Sequence, residues 1–278
     1  MIKCTICCSD LKTTIDDEVY HCIQCDHYQY FGNNKLEIFD HPKLSKSLES
    51  LRKKQSKKIV NKFKILYPPL DNLTAIEVGA GKGYLIKELK KIITKCYALD
   101  IDITYKNELE DYGIKFKQGN LDDKNNFNNI DVVLGSHVFE HLIDPNKFLS
   151  DIGLYKIKFL ILFIPNSRGF IFSFGKLLNT LKISLLWERL FQKNSNSPHY
   201  HYFSEKSLKK IAEKNNFRVI ASLNLNMVNY TPNFKRISTT ESLIISIASS
   251  VVLSFLEILN KVFRVSDSKV YYLKKINE

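Results

Sequence analysis

The chain has 278 residues, a 44% hydrophobic content and a formal net charge of +12. That length holds one full α/β domain plus small additions, and that apolar fraction excludes a chain too polar to pack a core. The positive balance favours anionic partners: a phosphorylated substrate, nucleic acid or an acidic membrane surface.

The opening residues, Met1-Ile2-Lys3-Cys4, carry no apolar h-region, so no signal peptide is expected and the chain reads as cytoplasmic. Six cysteines in that setting read as metal ligands and free thiols rather than disulfides. Cys4-x-x-Cys7 and Cys22-x-x-Cys25 form two knuckles separated by a 14-residue loop. Two thiolates three residues apart grip one ion from a tight turn, and two such turns complete a tetrahedral shell. The spacing is that of a zinc ribbon over residues 1–32, with Cys4, Cys7, Cys22 and Cys25 as ligands. A closed four-ligand shell leaves no open position, so this Zn2+ would be structural. Cys8, His21 and His27 lie near enough to compete as ligands, and reduced, unmetallated thiols are the alternative.

Residues 33–69 follow as a basic helical linker. Leu44, Leu48, Leu51, Ile59, Phe63 and Leu66 recur near helical spacing, with lysines between them. The lysines read as a solvated face. Pro68-Pro69 ends the helix.

The domain assigned to residues 70–278 opens on an apolar strand that runs into Glu77-Val78-Gly79-Ala80-Gly81-Lys82-Gly83. Alternate glycines let backbone pass close to a ligand, and the helix after them points free N–H groups at the same spot. A dinucleotide fingerprint would need its third glycine at position 84, which is Tyr84. A second apolar run, Cys96 to Leu99, ends in Asp100, placed to accept the hydroxyls of a ribose; Cys96 reads as a core thiol. A third strand, Ile114 to Phe116, precedes Gln118-Gly119-Asn120-Leu121, and a fourth runs from Ile130 into Ser136-His137-Val138-Phe139-Glu140-His141-Leu142. Asp144-Pro145 has the form of a helix start. Ile157 to Ile164 is a fifth buried strand ending in Pro165-Asn166, and strands near Phe217 to Ile220 and Val270 to Leu273 close the pattern.

Glu-x-Gly-x-Gly-x-Gly, the acid-tipped second strand, Gly119-Asn120 and the Glu140-His141-Leu142 segment, in this order, resemble class I S-adenosylmethionine-dependent methyltransferases. The resemblance covers roughly residues 66–225. It implies a Rossmann-like α/β fold, a seven-stranded mostly parallel sheet with helices on both faces, beside the small zinc ribbon. It also implies S-adenosylmethionine as cofactor: Glu77 toward the methionine amino group, Gly79, Gly81 and Gly83 at the backbone, Asp100 on the ribose, and Asn120 and Leu121 flanking adenine. In that family the residue at 120 is usually Asp, so Asn120 departs from the pattern.

Between strands five and six, residues 167–203 form an apolar segment that in the resembled family often makes a lid over the acceptor; ordinary packing is the alternative. An apolar helical insertion spans 236–265. Ser242 to Leu256 carries no charge and is too short to cross a bilayer. Its serines recur every three or four positions as one polar stripe, leaving a helix that must bury most of its girth. Packing or a homodimer through 242–264 is favoured, with peripheral contact at the inner membrane face as the alternative.

Methyl transfer from a sulfonium to an acidic C–H or a hydroxyl needs a base, and histidine suits neutral pH. His141, which the resemblance puts near the methyl group, is the first candidate and His201 the second; a structural imidazole is the alternative for each. A Cys4 module ahead of such a core resembles methyltransferases of bacterial sugar and surface-polysaccharide biosynthesis. That implies an anionic small-molecule acceptor, a nucleotide sugar or a lipid-linked glycan precursor. An rRNA base methyltransferase is the second reading, although Pro165-Asn166 stands where a base-clamping Asn-Pro-Pro-Tyr would be. A catalytically silent cofactor-binding module is the third.

Overall fold

The computed structural model describes residues 2–32, 46–70, 72–193, 195–225 and 266–276. The apolar insertion expected over 236–265, with its contact segment 242–264, lies outside the described residues. Among the described residues, no helix is long and apolar enough to cross a membrane.

The chain begins with three short antiparallel strands, β1 (Lys12–Thr13), β2 (Val19–Cys22) and β3 (His27–Tyr30). Helix α1 (Lys46–Leu66) leads to β4 (Thr74–Val78), α2 (Tyr84–Leu89), β5 (Lys95–Asp100), α3 (Lys106–Asp111), β6 (Lys115–Gln118) and β7 (Val132–Ser136). Then come α4 (Pro145–Gly153), β8 (Phe159–Pro165), α5 (Phe170–Thr180), α6 (Leu185–Phe191), β9 (His201–Tyr202), α7 (Glu205–Lys214), β10 (Phe217–Leu225) and β11 (Ser268–Lys275).

Seven strands form one sheet in the order β10-β11-β8-β7-β4-β5-β6. All neighbours are parallel except β11, which runs antiparallel to both β10 and β8. This is the Rossmann-like, mostly parallel α/β sheet expected from the sequence. Because successive strand residues face opposite sides, each strand feeds two cores. Leu160, Leu162 and Ile164 of β8 join Phe148 and Leu149 of α4 and Leu208 and Ile211 of α7 on one face. Ile161 and Phe163 join Ile59, Val60 and Phe63 of α1 and Leu85 and Leu89 of α2 on the other. A strand covered on both faces must be apolar throughout, which is why β8 reads Phe-Leu-Ile-Leu-Phe-Ile.

Helix α1, expected as a linker, packs onto this second face, and the Tyr272 hydroxyl of β11 donates to the Ile59 carbonyl at 2.9 Å. The amino-terminal strands do not stand alone either. β9 pairs with β3, Tyr28 opposite Tyr202, to complete a four-stranded sheet. A third core joins Val19, Tyr28 and Tyr30 to Phe172, Trp187, Phe191, Tyr200 and Tyr202. The segment after β8 is therefore the wall of the amino-terminal module. Lys193 ties the two by ion pairs to Asp16 and Glu18, and Arg168 to Asp26.

Candidate active site

The strand order reverses at β4: the chain continues to β5 on one side and returns as β7 on the other. Loops leave such a point in opposite directions and open a crevice at the carboxyl ends of the strands. The glycine turn fills that place. Gly79 has φ +58°, and a Cβ there would lie 2.5 Å from Val138 Cγ2. Gly83 has φ +65°, and its Cβ would lie 2.4 Å from Leu109 Cδ2. Both glycines are required by backbone handedness and by protein packing rather than by a ligand's approach. Gly79 and Gly81 line the crevice; Gly83, expected there too, does not and instead caps α2 from behind.

Glu77 is 2% exposed and lines the crevice. Its Oε2 accepts the Ile86 N–H at 2.9 Å, so one helix-start amide expected to await a ligand already serves Glu77. Burial pushes the Glu77 carboxyl up to about 8, and a cation placed beside it would favour its charged form. Asp100 Oδ2 accepts the Gly81 N–H at 2.7 Å, and its Oδ1 accepts the Asp102 N–H at 3.0 Å. The acid of the second strand thus shapes the turn it faces. Asn120 is exposed and its side-chain oxygen accepts from Asp122 and Asp123 N–H, a local turn; Leu121 packs against the first core.

The crevice encloses about 420 Å³. Its floor is the glycine turn with Glu77 and Tyr84, one wall is Arg52, Gln55 and Ser56 of α1, and its far end holds His137, His141 and Phe163. Gln192, Ser195 and Ser197, carried by the amino-terminal module's wall, lie across it. Sequence reasoning missed the α1 residues, since a helix read as solvated lysine gave no sign that Arg52 would meet the glycine turn. Their signal was weak: one arginine, one glutamine and one serine at i, i+3, i+4 on a lysine-rich helix. The Arg52 guanidinium lies 5.7 Å over the Phe163 ring. A larger cleft of about 590 Å³ beside α7 holds no glycine turn and no histidine.

His141 lies at the pocket's end, with Nδ1 at 3.0 Å from both Ser197 Oγ and the Pro198 carbonyl. Burial pulls its pKa below the ordinary value, so the imidazole is neutral near pH 7. His137 has φ +56°, unusual for a non-glycine residue, and its Nδ1 pairs with Glu140 Oε1 at 3.0 Å. Glu140 is 0% exposed, and burial pushes its carboxyl up to about 8. His201, the second candidate base, is not brought to this pocket. It is 0% exposed, its Nδ1 is 3.0 Å from His27 Nε2, and it stitches β9 to β3. Its strand placed it in the seam, where an imidazole is structural.

The four cysteine sulfurs lie within 4.8 Å of one another, with Cys4–Cys25 at 3.7 Å and Cys7–Cys22 at 3.4 Å. A tetrahedral shell with Zn–S of about 2.3 Å needs S···S of roughly 3.8 Å, so the donor set fits one such ion. Hydrogen bonding from Cys25 draws the Cys4 thiol down to about 5, while the Cys25 thiol is pushed up. The sulfurs compete for protons that a dication would replace.

The fold, the switch-point crevice with its glycine turn, and the acid beside it define a class I S-adenosylmethionine-dependent methyltransferase. A family profile described as a methyltransferase domain matches residues 42–222, and the chain belongs to that family. No curated protein matches the sequence. Among solved structures, a complex containing the Haloferax volcanii Trm112 methyltransferase activator aligns at 14% identity and TM-score 0.58, over 84% of this chain and 93% of that one. Magnesium protoporphyrin IX methyltransferase from Synechocystis, with bound SAH, aligns at 13% identity and TM-score 0.53, over 86% of this chain and 90% of that one. The YcgJ protein from Bacillus subtilis aligns at 12% identity and TM-score 0.52, over 80% of this chain and 99% of that one. At such identities the likeness is one of fold.

Proposed function

We propose that the protein methylates a sugar or a nucleotide- or lipid-linked glycan precursor in the cytoplasm. The observation that carries this reading is the row of Gln192, Ser195 and Ser197 across the pocket's histidine end. These are neutral hydrogen-bonding side chains, suited to a ring bearing several hydroxyls. The net charge of +12 suits a phosphate-bearing acceptor.

When bound, the cofactor supplies an electrophilic methyl on a sulfonium. Glu77 takes its amino group and Arg52, on the opposite wall, its carboxylate. Asp100 meets the ribose, with Asn120 and Leu121 beside adenine. His141 accepts the acceptor's proton: with its Nδ1 hydrogen given to the Pro198 carbonyl, Nε2 carries the lone pair. Charge is lost along the reaction path, so excluding water and aligning the partners supply most of the acceleration. Cys4, Cys7, Cys22 and Cys25 hold a structural Zn2+.

Mass spectrometry of nucleotide sugars and lipid-linked glycans incubated with isotopically labelled cofactor tests the acceptor. Label in a sugar is expected. Label in rRNA alone would overturn the sugar reading, and cofactor binding without turnover on any acceptor would mark a silent module.

A further inference from the structure

A second group of donor atoms lies beside the methyl-transfer pocket, which one of them, His141, lines. Glu140, His141 and His199 each present a ligand atom within 4.8 Å of the other two. They come from different elements: Glu140 and His141 from the turn Phe139–His141 after β7, His199 from the strand entry before β9. The His141 and His199 rings meet edge to face, centroids 4.7 Å apart. One carboxylate and two imidazoles form a donor set that takes a divalent first-row metal and leaves positions open to a further ligand.

An independent observation points the same way. Glu140 Oε2 is buried without a hydrogen-bond partner, and so is Nε2 of His137, whose Nδ1 holds the other Glu140 oxygen. A wholly buried carboxylate with a bare oxygen is costly unless a cation or a proton meets it. The surroundings also suit ligation. His141 Nδ1 faces the Pro198 carbonyl and the Ser197 hydroxyl, the kind of partner that orients a ligating imidazole. His199 is flanked by Tyr202 OH at Nδ1 and by the Gln192 carboxamide at Nε2, 2.9 Å away. Gln192 would swing aside or turn its oxygen to the ion.

We infer that Glu140, His141 and His199 form a divalent-metal site, separate from the cysteine cluster, that grips oxygen atoms of the acceptor. This rests on the methyltransferase reading and deepens it: the acceptor class becomes a hydroxyl flanked by a second oxygen, as in a vicinal diol. Metal ligation lowers the hydroxyl's pKa. Its proton is released to water, the oxygen's electron pair forms the O–CH3 bond, and the S–CH3 bond breaks with its pair left on sulfur. The products are the methyl ether, S-adenosylhomocysteine and one proton in solvent. With the metal loaded, His141 serves as a ligand, and the metal takes over activation of the hydroxyl.

The test uses the full chain with its cysteine-bound metal retained, dialysed against a mild chelator and titrated with Co2+ by calorimetry and visible absorption. One equivalent is expected, without the intense thiolate-to-metal bands that cobalt at the cysteines would give. Glu140→Gln and His199→Ala are each expected to weaken it by about tenfold or more, while cofactor binding in both variants, measured separately, reports an intact fold. No uptake beyond the thiolate bands, or equal affinity in both variants, would overturn the site. Cofactor binding with no cobalt binding defeats this inference alone; cobalt binding with no cofactor binding defeats the methyltransferase reading instead.

Discussion

Asp100 holds the glycine turn and Glu77 the helix that follows it, and both are expected to matter to cofactor affinity in different ways. Asp100→Ala removes the acceptor for Gly81 N–H and, on the proposed assignment, the ribose ligand with it. Calorimetry should show cofactor binding lost, and an affinity equal to wild type would refute the ribose assignment. Glu77 sits near pKa 8 in the ligand-free chain because of burial. An ammonium beside it favours the carboxylate, so binding near pH 7 expels a proton and affinity rises with pH up to about 8. Titrations in buffers of different ionisation enthalpy should show that proton in wild type and none in Glu77→Gln. His141→Ala should leave cofactor affinity unchanged and lower kcat by about a hundredfold or more; unchanged turnover removes it from the chemistry.

At the scale of elements, the turn after β4 carries the sharpest constraint. Gly79→Ala combines a positive φ with a 2.5 Å approach to Val138. Strain of this kind costs about 1–3 kcal/mol, and denaturant unfolding is expected to show at least that loss. Val138→Ala added to it should recover only the part due to the clash. Helix α1 was legible as a helix, and its lysines are indeed its solvated side. Its role was not, because Arg52, Gln55 and Ser56 acquire meaning only when the helix is laid across the end of β4. The segment after β8 was legible as too apolar for a free loop. Its partner, the strand β3 some 140 residues earlier, was hidden, since an aromatic-rich run does not name what it will pack against. Phe172→Ala should cost about 3–5 kcal/mol there, because Phe172 joins Tyr28, Trp187, Phe191 and Tyr202 in one cluster.

Across the whole molecule, the amino-terminal module and the pocket are mechanically one. Its wall carries Gln192, Ser195 and Ser197, so if the cysteines hold the proposed ion, stripping it should lower turnover even though they lie outside the pocket. Chelation that empties the cysteine site with unchanged turnover would disprove that coupling. The seam also responds to acid. Burial lowers His201 to about 4, below the ordinary value of about 6.5. A group held neutral in the fold binds its proton more readily once unfolded, so its contribution is whole above about pH 6.5 and is lost as pH falls through about 4. Thermal melting should therefore drop over that window and drop less in His201→Gln. Equal slopes would exclude His201 as the titrating group.

Local patterns along the chain determined the class of fold, the turn after β4 and the four-cysteine cluster, because strand runs, glycine spacing and knuckle spacing are imposed by interactions within a few residues of each other. Tertiary structure alone decided that His201 stays out of the pocket, that α1 supplies one of its walls, and that the chain's first strands are completed by β9. Those outcomes depend on where separate elements come to rest. The Glu140-His141-Leu142 segment already set His141 ahead of His201, but only packing shows that His201 lies in a dry seam and not beside the crevice.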